Sequence, residues 1–272
     1  MTIRLAGPLL LVGAGKMGGA LLEGWLRQGL DPKHVFVCDP NPPPEVVALI
    51  ARHRIGTGAS AELPAKPSVI LLAVKPQVID EVLPSVAPLM GKQTVVLSIA
   101  AGRTIASLQR HLPDSAIVRS MPNTAASVGH SMTVVCAGTA VTRDQALECN
   151  MLLEAVGQVI WIDDESLLDV VTAISGNGPA YVYLLAECLA EVGCKAGLDS
   201  DLANQLARAT VEGAGELLRR SDLSPAELRA NVTSPKGTTA AALEVLMSKD
   251  GLQALLSRAI AAAVKRAREL SS

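Results

Sequence analysis

The sequence predicts an α/β N-terminal domain built on a mostly parallel sheet, followed by an all-α C-terminal domain. Three observations carry this reading. Short apolar runs alternate with helix-compatible stretches as far as about residue 163, and a glycine-rich turn joins the first run to the first helix. Past Asp163 the strand-like runs disappear, and alanine, leucine and small residues take over at helical spacing. A length of 272 residues is sufficient for two domains with separate cores, bounded on this texture at 1–163 and 164–272.

The elements follow in order. Leu9 to Val12 is apolar throughout, which suits a strand covered on both faces. The turn Gly13-Ala14-Gly15-Lys16-Met17-Gly18 leads into an apolar helix that runs to about Gln28, and His34 to Cys38 supplies a second strand ending at Asp39. Val69 to Val74, Thr94 to Ile99, Ala116 to Arg119 and Ser131 to Cys136 are the next strands, with helices near 44–54, 77–88, 103–110 and 142–155. Val159 to Ile162 closes the sheet. In the tail, Leu202, Leu206, Ala209, Gly213 and Leu217 share one helical stripe, and Leu252, Leu255, Leu256, Ala259, Ile260, Ala263, Val264 and Ala267 form another. Small residues such as Ala203, Ala207, Ala214 and Gly215 lie on several faces, so these helices expect more than one packing partner, in a dimer interface or, as the alternative, an entirely intramolecular bundle.

Composition narrows the function classes. The 24 basic and 26 acidic side chains leave a net charge of -2, against the strong positive field that a nucleic-acid binder or a binder of anionic lipid uses. Phe36, Trp25, Trp161, Tyr181 and Tyr183 are the only aromatic residues, too few to build stacking platforms. Five cysteines without a Cys-x-x-Cys pair, and four scattered histidines, predict reduced thiols and no structural metal. Glycines interrupt the apolar start, and no apolar stretch of the ~20 residues a membrane helix needs occurs, so the expected location is the cytoplasm.

Gly13-x-Gly15-x-x-Gly18 lies between strand and helix, where each glycine has a task. Gly13 permits the tight turn, Gly15 lets the backbone approach a pyrophosphate, and Gly18 lets helix and sheet pack closely. Helix N-terminal amides then stabilise the phosphate charge. The order strand, turn, helix, strand marks a Rossmann-like dinucleotide-binding domain; the pattern of a P-loop is absent. Lys16 either touches phosphate or is solvated. Asp39 stands where a carboxylate binds the adenosine ribose and favours NAD, unless Pro40 and Asn41-Pro42-Pro43-Pro44 turn it away. Ala73-Val74-Lys75-Pro76 and Ser98 to Gly102, including Ala101, fall at strand ends and line the same crevice, with Lys75 alternatively an ordinary surface lysine. Met121-Pro122-Asn123-Thr124 follows the next strand, and Asn123 is either a turn former or a polar site residue.

Two segments of the second domain stand out. Ser175-Gly176-Asn177-Gly178-Pro179-Ala180-Tyr181 is a chain break followed by a helix, either a plain helix start or a ligand-facing hinge. Asn231-Val232-Thr233-Ser234-Pro235-Lys236-Gly237-Thr238-Thr239-Ala240 brings free amides and threonine hydroxyls to another helix start, as a cap or as a receptor for a small carboxylate.

The order of these motifs along nearly the whole chain resembles the pyrroline-5-carboxylate reductase family. That resemblance implies a dinucleotide domain joined to an all-α dimerisation domain, and reduction of a cyclic imine to L-proline by NADPH, with NADH as the second donor. It also implies a homodimer and, beyond it, a decamer of five dimers. Carried over by position, it implies that Gly13, Ala14, Gly15, Lys16, Met17 and Gly18 bind cofactor phosphates, that Ala73, Val74, Lys75, Pro76 and Ala101 line the cofactor, and that Asn231 approaches its nicotinamide end. Gly237, Thr238 and Thr239 hold the substrate carboxylate, with the Thr239 hydroxyl facing the ring nitrogen. Two positions depart from the family pattern: Lys236 replaces a glycine, and Ala125 a frequent proline. Lys236 either obstructs a turn that needs positive φ or adds a charge beside the carboxylate if φ is ordinary.

Two competing readings remain weaker. Dehydrogenases of the 3-hydroxyisobutyrate and 6-phosphogluconate type share the domain plan but place a lysine four residues after the glycine-rich helix start. Here that position is Val182. A noncatalytic dinucleotide-sensing protein would have no use for the Gly237-Thr238-Thr239 receptor.

Overall fold

The structure is a computed structural model that describes residues 3–60, 63 and 65–271. The chain divides into two compact units, Met1–Gly176 with Val264–Ser272, and Asn177–Ala263.

The first unit is built on an eight-stranded sheet. Its strands are β1 (Leu9–Val12), β2 (Val35–Cys38), β3 (Gly56–Thr57), β4 (Val69–Leu72), β5 (Val95–Ser98), β6 (Ala116–Met121), β7 (Ser131–Ala137) and β8 (Gly157–Trp161), in the order β3-β2-β1-β4-β5-β6-β7-β8. All neighbours are parallel except β6 and β7. The apolar runs are explained by burial on both faces. Leu9 and Leu11 point to one core and Leu10 and Val12 to the other, and β4 repeats the alternation with Val69 and Leu71 against Ile70 and Leu72.

Helices α1 (Lys16–Arg27), α2 (Pro44–His53) and α5 (Arg143–Glu154) cover one face through Leu21, Leu22, Trp25, Val46, Cys149 and Leu152. Trp25 is fully buried and donates its indole N–H to the Leu152 carbonyl at 2.8 Å, so its apolar area is gained without an orphaned donor. Helices α3 (Ile79–Val86), α4 (Ile105–Gln109) and α6 (Leu168–Val171) cover the other face through Ile79, Leu83, Val86, Leu108 and Leu168. Each fully buried leucine contributes about 1.5–3 kcal/mol.

Strand limits differ from the periodicity in instructive ways. β4 ends at Leu72 rather than Val74, because its partner β1 turns away at Gly13 and the ladder loses one side. β6 runs on to Met121, because β7 pairs with it as far as Met121 opposite Val134. β3 is two residues at the sheet edge and carries no apolar signal that sequence could show.

The second unit is helical: α7 (Gly178–Lys195), α8 (Ser200–Arg220), α9 (Pro225–Asn231), α10 (Thr238–Leu246) and the first part of α11 (Leu252–Ser271). Helices α7 and α8 pack closely through small residues. A Cβ on Gly193 would stand 3.3 Å from the Ala203 Cβ. Only Ala190, Ala203 and Ala207 of this unit are buried apolar residues among those described, whereas Val182, Leu185, Leu189, Leu206, Leu217 and Leu255 are each more than two-fifths exposed. That much uncovered apolar surface calls for a partner. Among the described residues no helix is long and apolar enough to cross a membrane.

Candidate active site

One group of candidate residues grows out of the β1–α1 turn. Gly13 sits at φ +89°, and a Cβ there would lie 2.8 Å from the Ala73 carbonyl oxygen and the Val74 side chain. Only glycine combines that φ with that approach. The sequence motif and the Ala73-Val74 segment, 60 residues apart, are therefore in direct contact at the ends of β1 and β4. A Cβ on Gly18 would collide with the Gly13 carbonyl oxygen, so helix and turn interlock there. At Gly15 nothing lies within 4 Å of an added Cβ. The turn is tight where it meets the sheet and open where a diphosphate would approach. Gly15 caps α1 without a side-chain hydrogen bond, leaving the first amides of the helix unclaimed by any cap side chain. These glycines, the open face and the amides fit a dinucleotide.

The strand order places this turn at a switch point. From β1 the chain moves outward to β2 and β3, then crosses to β4 and β5 on the other side, which opens a crevice at the strand ends. Ala73 to Pro76 after β4 and Ala101 after β5 stand along this edge, and Lys75 is exposed. Asp39 has turned inward. Its two carboxylate oxygens accept the Ala14 N–H at 2.5 Å and the Asn41 N–H at 2.8 Å, so it braces the glycine turn. Asn123 proves to be both a turn former and a tether: its Oδ1 accepts the Ala125 N–H at 3.2 Å, and its Nδ2 donates to the Ser175 carbonyl and hydroxyl oxygens at 3.2 and 3.3 Å. Ala125 fits the 3-10 turn Thr124–Val128 where the family pattern has proline.

A second group of candidate residues belongs to the helical unit. Ser234 to Gly237 forms a four-residue turn closed by the Gly237 N–H donating to the Ser234 carbonyl at 3.0 Å. Lys236 holds φ +61°. Of the two options open from sequence, lysine takes the left-handed conformation itself and does not break the turn, at a backbone cost of about 1–2 kcal/mol. Gly237 then caps α10 with no side-chain hydrogen bond, so the first amides of the helix, at Thr238 and Thr239, are unclaimed by any cap side chain. Asn231 ends α9 and is exposed.

Sequence reasoning missed two ionic clusters of the first unit. Asp80 accepts a hydrogen bond from Arg103 and, at 3.0 Å, pairs with His111; the Arg103 guanidinium holds its carboxyl below the usual range. Arg119, 2% exposed, pairs with Glu165 at 3.0 Å and with Asp169 at 3.7 Å. A charge in the middle of the apolar run Ala116 to Met121 was the available signal. Its partners, 46 and 50 residues further on, had none.

A glycine turn at a switch point, on a chain that also carries a helical unit with uncovered apolar faces, defines a class: a two-domain dinucleotide-dependent oxidoreductase. Residues 9–102 match the family described as NADP oxidoreductase, coenzyme F420-dependent, and residues 165–270 match the one described as pyrroline-5-carboxylate reductase dimerisation. The chain is 38% identical to pyrroline-5-carboxylate reductase of Pseudomonas aeruginosa, over 96% of this chain and 95% of that protein. Its structure is similar to that of a pyrroline-5-carboxylate reductase from Coxiella burnetii, with TM-score 0.89, 33% identity, and 98% and 100% of the two chains covered. It also resembles the Plasmodium falciparum pyrroline carboxylate reductase with NADP bound, at TM-score 0.84, 29% identity and coverage of 98% and 99%. The chain belongs to the pyrroline-5-carboxylate reductase family.

Proposed function

We propose that this protein reduces (S)-1-pyrroline-5-carboxylate to L-proline, the final step of proline biosynthesis, consuming NADPH and one proton and releasing NADP+. The single observation that carries the reading is family membership over 96% of the chain. A dinucleotide held at the β1–α1 turn would supply hydride to the imine carbon. Residues 1–163 hold it, through Gly13, Ala14, Gly15, Lys16, Met17 and Gly18 at the phosphates and Ala73, Val74, Lys75, Pro76 and Ala101 along the crevice, with Asn231 serving the nicotinamide end. Residues 164–272 provide substrate binding and the dimer interface. Gly237, Thr238 and Thr239 orient the substrate by its carboxylate, and the Thr239 hydroxyl hydrogen-bonds the ring nitrogen and positions the proton it receives. A protonated imine is already electrophilic, so this role asks for no strong acid.

NADPH is the preferred donor and NADH the second. The NADP oxidoreductase family match and the NADP bound to the similar Plasmodium falciparum reductase support NADPH, while Asp39 keeps its negative charge beside the turn. Initial rates with pyrroline-5-carboxylate should show proline formation and a higher kcat/KM with NADPH. A tenfold advantage for NADH, about 1.4 kcal/mol at the transition state, overturns the preference. Absence of proline overturns the function.

The uncovered faces of α7, α8 and α11 support a homodimer, and five such dimers form the proposed decamer. Light scattering coupled to size exclusion should give a mass of ten times 28.2 kDa, with twice that unit mass marking the dimer as the final state. A stable, active monomer defeats both. The cytoplasm is the proposed location, supported by the free thiols of Cys136, Cys149, Cys188 and Cys194.

A further inference from the structure

The side chains that grip the segment leading into α7 come from alternate positions of one extended stretch. Arg119 of β6 pairs with Glu165 and Asp169. Met121, two residues on, brings its sulfur to 3.4 Å from where a Cβ on Gly176 would stand. Asn123, two further, donates to Ser175. Residues 119, 121 and 123 thus hold 165–176 at both ends. Glu165 adds a third element, because the oxygen that accepts from Arg119 also accepts the Ile105 N–H at 2.8 Å, at the start of α4. One carboxylate oxygen joins β6, the end of the β5–α4 loop that contains Ala101, and the chain on its way to the helical unit.

Stability does not account for the arginine. Its face of β6 otherwise carries Ile117 and Met121 and lies in the core with Val134 and Leu168. An apolar side chain of similar length would bury comparable area there without desolvating a charge. The arginine is also imperfectly satisfied, since Nε and Nη2 are buried without a hydrogen-bond partner among the described residues. What arginine offers over an apolar residue is a charge-assisted hydrogen bond from Nη1 to Glu165, which fixes direction as well as contact.

We infer that Arg119, through Glu165, is a positioning residue for hydride transfer: it sets the geometry of the β5–α4 loop and of the 165–176 segment from which the substrate-binding unit begins. The inference rests on the proposed reductase activity. Transfer rates fall steeply when reacting atoms are displaced by about 1 Å, so such a mount acts on rate more than on affinity.

The test is single-turnover oxidation of enzyme-bound NADPH by pyrroline-5-carboxylate in stopped flow. Amplitude counts competent sites and the rate constant reports positioning, so a merely structural role lowers amplitude alone. Arg119→Met should lower the rate constant ten- to a hundredfold, with the NADPH Kd, read by fluorescence, within threefold of wild type. Glu165→Gln keeps an acceptor for the Ile105 N–H and should lose three- to tenfold. The double variant should be no slower than Arg119→Met, because both changes remove one device. A wild-type rate constant in folded Arg119→Met, losses that multiply in the double variant, or reduced amplitude at unchanged rate each overturn the role. If Arg119→Met fails to fold, Glu165→Gln decides it, and a wild-type rate constant there overturns it. Wild-type enzyme without turnover overturns the reductase reading and this role together, and is distinguished by that.

Discussion

Thr239→Ala should lower kcat/KM for pyrroline-5-carboxylate by roughly tenfold to a thousandfold, with dinucleotide affinity nearly unchanged. The lower bound is one lost hydrogen bond of about 1.5 kcal/mol to the ring nitrogen, and the upper bound adds loss of positioned proton delivery. The backbone at the start of α10 should survive the change. Gly237 caps that helix without help from any side chain, and the Thr239 hydroxyl has no role in closing the Ser234 to Gly237 turn. Thr239→Ser should retain most activity, because it keeps the hydroxyl and loses only a methyl group. A cyclic imine lacking the carboxylate should react poorly with wild type and lose little more in Thr239→Ala if ring and carboxylate are held together. Normal kinetics in folded Thr239→Ala would leave the reductase function standing and remove this hydroxyl from it.

Gly18→Ala is expected to raise the NADPH Kd at least a hundredfold, about 2.7 kcal/mol by the usual conversion. A Cβ at this position meets the Gly13 carbonyl oxygen, a backbone atom that cannot rotate aside, and it also lies 3.3 Å from the Ala73 Cβ. Either the turn opens or α1 moves off the sheet, and both displace the amides that would hold the phosphates. The same change should lower Tm. Gly15→Ala supplies the contrast. Its φ is an ordinary -67° and the space around it is open, so Tm should stay at the wild-type value while NADPH binding weakens through lost close approach. Titration by NADPH fluorescence and thermal unfolding, run on both variants, separate the two cases. Tight binding by folded Gly18→Ala would remove the turn from the cofactor site.

Much of the molecule is legible in the chain itself. Leu9 to Val12 reads as a doubly covered strand because a buried parallel strand shows no polar side, and the tail reads as helix because its leucines recur at 3.6-residue spacing. The glycine turn after β1 is legible because its glycine requirement is steric and is met within six residues. The proposed receptor at Gly237 to Thr239 is legible as a helix start, which Gly237 as the cap of α10 bears out.

What the chain leaves open depends on partners distant in sequence. That Gly13 rests on Ala73 and Val74 follows from β1 and β4 being neighbours, which is a property of sheet order. That Asp39 accepts the Ala14 N–H follows only once β2 lies beside β1. The left-handed φ of Lys236 is imposed by closure of the Ser234 to Gly237 turn against lysine's own preference. The Arg119 cluster exists only because the fold returns residues 165–169 to the middle of β6. Periodicity and turn sterics act over a few residues and therefore survive in a linear reading. The pairing of buried polar groups is decided by whichever partner packing brings within 3 Å, and nothing local specifies which one that will be.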